Sequence, residues 1–123
     1  MENLTNFSHA ATIFPVKDVQ RSIDFYTLQL KFDLTFTWDD PITYAVLKKG
    51  GVSIHLTKRA DDLHPSKKHT ALYIFVHNLQ EVYEQCIKEQ VQILNPLGAR
   101  DYQMKDFDIQ DPDGYIITFG KGE

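Results

Sequence analysis

Only one cysteine, Cys86, occurs in the 123 residues, so no intramolecular disulfide can form and nothing points to an oxidising compartment. Long apolar runs are missing too. The longest, Ala71 to Val76, has six residues, whereas a membrane-spanning helix needs about 18 or more. The amino-terminal Met1-Glu2-Asn3-Leu4 lacks the basic stretch and apolar run of a signal peptide. These absences predict a cytoplasmic protein without a membrane partner. Positive charge is also short: Lys plus Arg is 13 against 17 for Asp plus Glu, a net charge of -4. That sign disfavours a nucleic-acid partner and mildly favours a cationic ligand. There is no phosphate-cradling glycine loop, and His64 to His69 has no zincin pattern. Gly51-Val52-Ser53-Ile54-His55 begins like a nucleophile elbow but has His where the second Gly is required, and it runs on as a strand. Asp111-Pro112-Asp113-Gly114 lacks the remaining ligands of a calcium loop and reads as a turn.

What is present is an ordinary globular composition, 42% hydrophobic and 24% charged, in a length that suits one domain over residues 1–123. Such a chain buries roughly two-thirds of its unfolded surface, enough for a core without metal or disulfide staples. An internal repeat organises it. At an offset of 60, His9/His69, Ala11/Ala71 and Val16/Val76 are identical, while Asp18/Asn78, Val19/Leu79, Ile23/Tyr83, Asp24/Glu84 and Tyr26/Cys86 are similar or equivalent in role. Repeat one covers about residues 9–58 and repeat two about 69–121. The polar stretch between them, about 59–68 with Pro65, reads as a linker.

Each repeat opens with a strand rich in β-branched and aromatic residues, Ala11 to Val16 or Thr70 to Val76. Asp18 and Asn78 then serve as helix caps, with Glu81 completing a capping-box pattern in the second copy. Val19, Ile23, Tyr26 and Leu30 form one helical stripe, and Leu79, Tyr83 and Cys86 repeat it. On that stripe Cys86 is expected to be an inert core thiol. Three shorter strands follow each helix. They lie at about Phe32 to Trp38, Thr43 to Lys48 and Val52 to Lys58, then Gln92 to Leu94, Tyr102 to Ile109 and Tyr115 to Gly120. Gly50-Gly51 is a hairpin turn.

The result is an α+β domain of two βαβββ units. Alternation assigns Phe14, Val16, Ile54, Leu56, Leu72, Ile74, Val76, Ile117 and Phe119 to the helix-covered core. The opposite face holds Ala11, Ile13, Ser53, His55, Thr57, Ala71, Tyr73, Phe75, Ile116 and Thr118, a mix of aromatic, small and polar residues that suits a ligand cavity.

Asp18 to Tyr26, Gly51 to Leu56 and Asp111-Pro112-Asp113-Gly114-Tyr115, in this order and spacing, resemble the vicinal-oxygen-chelate superfamily of glyoxalases, extradiol dioxygenases and bleomycin-resistance proteins. The resemblance covers about residues 9–121 and implies a curved mixed sheet around a cavity. The metal-ligand positions it implies fall on Ala11, His55, Ala71 and Thr118, of which only His55 is a good ligand, so the expectation is no metal and no cofactor. The chain looks most like the bleomycin-resistance branch, through Ile13 to Tyr26, Asp39-Asp40, Ala71 to Val76 and Met104-Lys105-Asp106-Phe107. That likeness implies a homodimer that sequesters a cationic antibiotic without chemistry. Where the branch carries a groove aromatic, this chain has Tyr102-Gln103.

The candidate ligand contacts are therefore Trp38, Tyr44, His55, Tyr73, Phe75, Tyr102, Met104, Asp106, Asp108 and Thr118. The aromatics stack flat ligands or attract cations, or else pack a core or dimer interface. His55 is a ligand-facing imidazole or a structural one. Asp106 and Asp108 alternate with Phe107 and Ile109, so their carboxylates face the cavity if the latter face the core; they bind a cationic group or line a solvated edge. Two further readings stand beside sequestration. One is a glyoxalase-like lyase, isomerase or dioxygenase with a displaced metal site of His9, His55 and His69, and the other is a sensor or stress protein with an unrelated ligand.

Overall fold

The computed structural model describes residues 6–59 and 64–122. Met1 to Leu4 and the Ala60–Leu63 part of the expected linker lie outside them. Repeat one runs β1 (Thr12–Val16), α1 (Val19–Asp24), β2 (Asp33–Trp38), β3 (Tyr44–Lys49) and β4 (Val52–Lys58). Repeat two runs β5 (Thr70–Phe75), α2 (Leu79–Lys88), β6 (Gln92–Ala99), β7 (Met104–Gln110) and β8 (Ile116–Gly122). The sheets are ordered β1-β4-β3-β2 and β5-β8-β7-β6, with β1 parallel to β4 and β5 parallel to β8. The repeated sequence thus builds the same topology twice. Each repeat contributes one four-stranded mixed sheet.

The helix starts follow from their caps. Asp18 Oδ1 accepts from the Arg21 N–H and Asn78 Oδ1 from the Glu81 N–H, each at 3.1 Å, satisfying donors that the first turn leaves open. The first helix does not continue as regular α-helix: Phe25–Gln29 is a π-helical turn, closed by Leu30 N–H to Phe25 carbonyl. Phe25 and Tyr26 in this turn are both buried. Strand β6 runs through Pro96 instead of stopping at Leu94. It is an edge strand with register shifts, where a missing N–H costs no ladder bond.

Phe14, Val16, Ile54, Leu56, Ile74, Ile117 and Phe119 are buried with the helix stripes in one core spanning both repeats, and Leu72 and Val76 pack on it. Each fully buried aliphatic or aromatic side chain contributes about 1.5–3 kcal/mol. Ile116, expected on the cavity face, is buried as well. Cys86 is buried and its thiol is pushed up to about 11 by burial, an inert neutral group at physiological pH.

The Asp-Pro-Asp-Gly turn does more than reverse the chain. Gly114 sits at φ +102°, and its N–H closes the turn on the Asp111 carbonyl. Asp111 Oδ1 accepts from the Asp113 and Tyr115 N–H groups, and Oδ2 accepts from the Tyr26 hydroxyl at 2.7 Å. Asp113 accepts from the Lys17 N–H, the Arg21 guanidinium and the Ser22 hydroxyl. Tyr115 stacks on Phe14 and donates to the Pro15 carbonyl. The turn of repeat two is therefore a clasp on α1 of repeat one. It holds the helix-covered faces together, so the other face of each sheet looks outward.

The clasp predicts alkaline sensitivity. Burial, then the Asp111 carboxylate, raises the Tyr26 phenol well above its ordinary 10.0, and burial first raises that of Tyr115 to about 12. Both stabilise the fold fully below pH 10, where the unfolded phenols also keep their protons, and lose that contribution as pH rises through the folded values. The melting temperature is expected to fall between pH 10 and 11, and Tyr26→Phe should flatten that fall; a slope unchanged in the variant overturns the assignment.

Candidate ligand-binding faces

Strand register assembles the outward face of the first sheet in rows. Ile13, His55, Val46 and Phe36 stand opposite one another across β1, β4, β3 and β2, and Pro15, Thr57, Tyr44 and Trp38 form the next row. Trp38 is 61% exposed at the end of edge strand β2. Tyr44 Oη lies 2.7 Å from His55 Nδ1, with the rings edge to face. With the phenol as donor, the neutral imidazole carries its proton on Nε2 and offers an N–H.

On the second sheet the rows are Tyr73, Thr118, Asp108 and Asn95, then Phe75, Gly120, Asp106 and Gly98. Phe107 and Ile109 are fully buried, which turns Asp106 and Asp108 to the outward side as alternation requires. Their states differ. Asp106 is 1% exposed: Oδ1 accepts from Arg100 Nε at 2.8 Å, and Oδ2 from the hydroxyls of Tyr73 and Tyr102. The carboxylate expected to be open to a cation is thus already matched by a guanidinium and two phenols. Asp108 accepts from Thr118 Oγ1 and Asn95 Nδ2, both neutral donors, and among the described residues it meets no cation. Thr118 is buried, its one proton going to Asp108 while Thr70 donates to it.

Tyr73 reaches Asp106 by crossing β8 directly above Gly120, where any Cβ would collide with the phenol. That close approach explains the glycine, and neither Gly120 nor Arg100 stands among the residues marked from sequence. The Asp106 bonds also raise the Tyr102 phenol above its ordinary value, while burial first, then the same carboxylate, raises that of Tyr73. Tyr102 stands in the β6–β7 loop with its ring exposed, and Phe75 is 72% exposed and tilted against Tyr73. Met104 is half-buried at the start of β7.

The ten marked residues fall into two groups. Trp38, Tyr44 and His55 share the first face; Tyr73, Phe75, Asp106, Asp108 and Thr118 share the second, with Tyr102 joined to it by its hydroxyl and Met104 beginning β7. A separate cleft of about 470 Å³ lies between the repeats on the helix side, and Phe75 alone of the ten borders it.

The model of the glyoxalase/bleomycin resistance protein/dioxygenase superfamily matches residues 6–119. The chain belongs to this superfamily. Solved structures share the fold at low identity. TioX from Micromonospora sp. ML1 is 18% identical with a TM-score of 0.78, over 95% of this chain and 100% of that one. TnmS3, an antibiotic binding protein from Streptomyces sp. CB03234, is 18% identical with a TM-score of 0.76, over 97% and 99%. A glyoxalase/bleomycin resistance protein/dioxygenase from Alicyclobacillus acidocaldarius is 17% identical with a TM-score of 0.78, over 99% and 95%. No curated protein matches the chain in sequence.

For a member of this superfamily the donor set decides whether a metal fits. The four positions implied by the resemblance are Ala11 and Ala71, which have no donor, Thr118, whose hydroxyl is engaged, and His55. Among the described residues no three His, Cys, Asp or Glu side chains gather closely enough to hold an ion, so one chain does not bring His9, His55 and His69 together as a site. These residues do not fit a metal. No helix among the described residues is long and apolar enough to cross a membrane.

Proposed function

We propose that the protein is a metal-independent small-molecule binder, a cytoplasmic homodimer that sequesters an aromatic or cationic ligand such as a glycopeptide antibiotic. The observation that carries this reading is the pair of outward sheet faces with exposed aromatics, Trp38 and Phe36 on one and Phe75 and Tyr102 on the other. Flat ligands stack on such rings, and cations are drawn to their faces and to the carboxylate of Asp108, which has only neutral donors among the described residues. Asp106 acts by holding Tyr73 and Tyr102 in place rather than by touching the ligand. His55, with Tyr44 behind it, supplies a directional hydrogen bond.

Homodimerisation follows from coverage. A well-built site buries about 70–90% of a drug-sized ligand, and an open sheet face covers only one side of it. A second copy's face supplies the other side. The antibiotic-binding TnmS3, with the same fold, supports the reading.

Trp38 is the only tryptophan, so its emission reports on the first face. Titration of metal-stripped protein with bleomycin should saturate at one ligand per chain and change that emission. Asp108→Asn and Trp38→Ala should each weaken binding about tenfold, the equivalent of about 1.4 kcal/mol. Sedimentation should give a dimer. A blank titration on a monomeric protein overturns the proposal.

A further inference from the structure

The cleft between the repeats has features of a site of its own. Its volume of about 470 Å³ falls within the roughly 300–1,000 Å³ of small-molecule sites. Repeat one contributes Leu30 and Phe32; repeat two contributes Ile74, Cys86 and Phe119, all buried, so the floor is apolar. The β3–β4 hairpin overhangs it with Lys49 to Val52, and the first turns of α2 close the opposite wall.

The charged groups on the rim are not equivalent. Lys31 is committed, donating to the Leu28 carbonyl at 2.7 Å and standing 3.5 Å from Glu89. Glu81 sits in the first turn of α2, where the helix end favours an acid. Lys49 differs from both. Its ammonium donates to the Lys31 carbonyl at 3.2 Å and meets no carboxylate among the described residues, although an ammonium carries three donors. A cleft with an apolar floor and, among the described residues, an ammonium at its mouth that meets no carboxylate is complementary to an acid with an apolar body.

We propose that this cleft is a second binding site, distinct from the outward faces, and that it takes a small apolar monocarboxylate with its carboxylate on Lys49 and its body against Leu30, Phe32, Ile74 and Phe119. The inference is independent of the sequestration reading, since the cleft shares only Phe75 with the residues named for that role.

The probe is decanoate, with decanol and decylamine as controls of equal chain length, followed by calorimetry and by Trp38 emission. One decanoate should bind per chain, with both controls at least tenfold weaker. Lys49→Gln, at an exposed position, should weaken decanoate about tenfold and leave decanol unchanged. Gln85→Trp, which fills the cleft from α2, should abolish decanoate binding while the melting profile shows a folded protein. Trp38→Ala should bind decanoate normally, and Trp38 emission should not respond. The proposal is overturned if decanoate does not saturate below millimolar concentration, if Lys49→Gln binds it as well as the parent, or if Trp38→Ala loses it; the last result would place the acid on the outward face.

Discussion

Asp111→Ala is expected to lower the melting temperature by about 12–20 °C, corresponding to about 3–5 kcal/mol at about 4 °C per kcal/mol for a domain of this size. The carboxylate serves three donors at once: the backbone N–H groups of Asp113 and Tyr115 and the fully buried hydroxyl of Tyr26. Alanine orphans all three, and each buried unsatisfied group costs about 1–3 kcal/mol, offset where water enters beside the turn. Asp111→Asn separates hydrogen bonding from charge. Its carbonyl can accept from both N–H groups, but its amide takes the place of the oxygen that accepts from Tyr26 and leaves that hydroxyl proton without an acceptor, so the loss should be about 1–3 kcal/mol, smaller than for alanine. Burial raises the Asp111 carboxyl above its ordinary 3.8 despite the bonds it accepts. A raised folded value stabilises fully below pH 3.8 and loses that contribution as pH climbs through the folded value, so the asparagine variant should also show a flatter acid limb. Thermal melts of both variants between pH 4 and 7 check this. Equal losses for Ala and Asn would show that charge, and not the three hydrogen bonds, is what the clasp needs.

Gly120→Ala is expected to cost about 2–3 kcal/mol, at the upper end of overpacking, because the added methyl occupies the place of the Tyr73 phenol. The backbone of Gly120 is not at positive φ, so strain in the strand is not the cause. Relief therefore requires Tyr73 to leave, breaking its bond to Asp106 and leaving the oxygen to Tyr102 alone. In a Tyr73→Ala background the same substitution should cost much less, with a coupling energy of about 1–2 kcal/mol in the double-mutant cycle. Denaturant midpoints of the four proteins measure it. Additive costs would mean that Gly120 is needed for a reason unrelated to Tyr73.

Much of the fold was legible because local chemistry wrote it in. The caps Asp18 and Asn78 and the Gly50-Gly51 hairpin each rest on contacts within a few residues, the repeat on matching residue types at a fixed offset, and the strand faces on alternation. The π-turn at Phe25–Gln29 was not legible, and Tyr26 within it bonds Asp111, 85 residues away, a partner no local pattern announces. The length of β6 was hidden for a similar cause: Pro96 ends a strand by propensity, but not at an edge that no neighbour pairs. In the candidate site, alternation put Asp106 and Asp108 on the outward side, yet it carried no sign of Arg100 reaching Asp106 or of Gly120 making room for Tyr73.

The sequence by itself determined the superfamily, the two βαβββ units and the core-facing parity, because each depends on residue type at fixed local spacing, and it puts alanine, which has no donor, at two of the positions where the resemblance implies metal ligands, Ala11 and Ala71. Only the tertiary structure decided that the units pack through their helix-covered faces, that the Asp111 turn clasps α1, that Asp106 pairs with Arg100 while Asp108 takes the neutral donors Thr118 and Asn95, and that a cleft with Lys49 at its mouth opens between the repeats. Those are outcomes of side chains from distant strands competing for the same space and the same hydrogen bonds, and no local pattern encodes which of them meet.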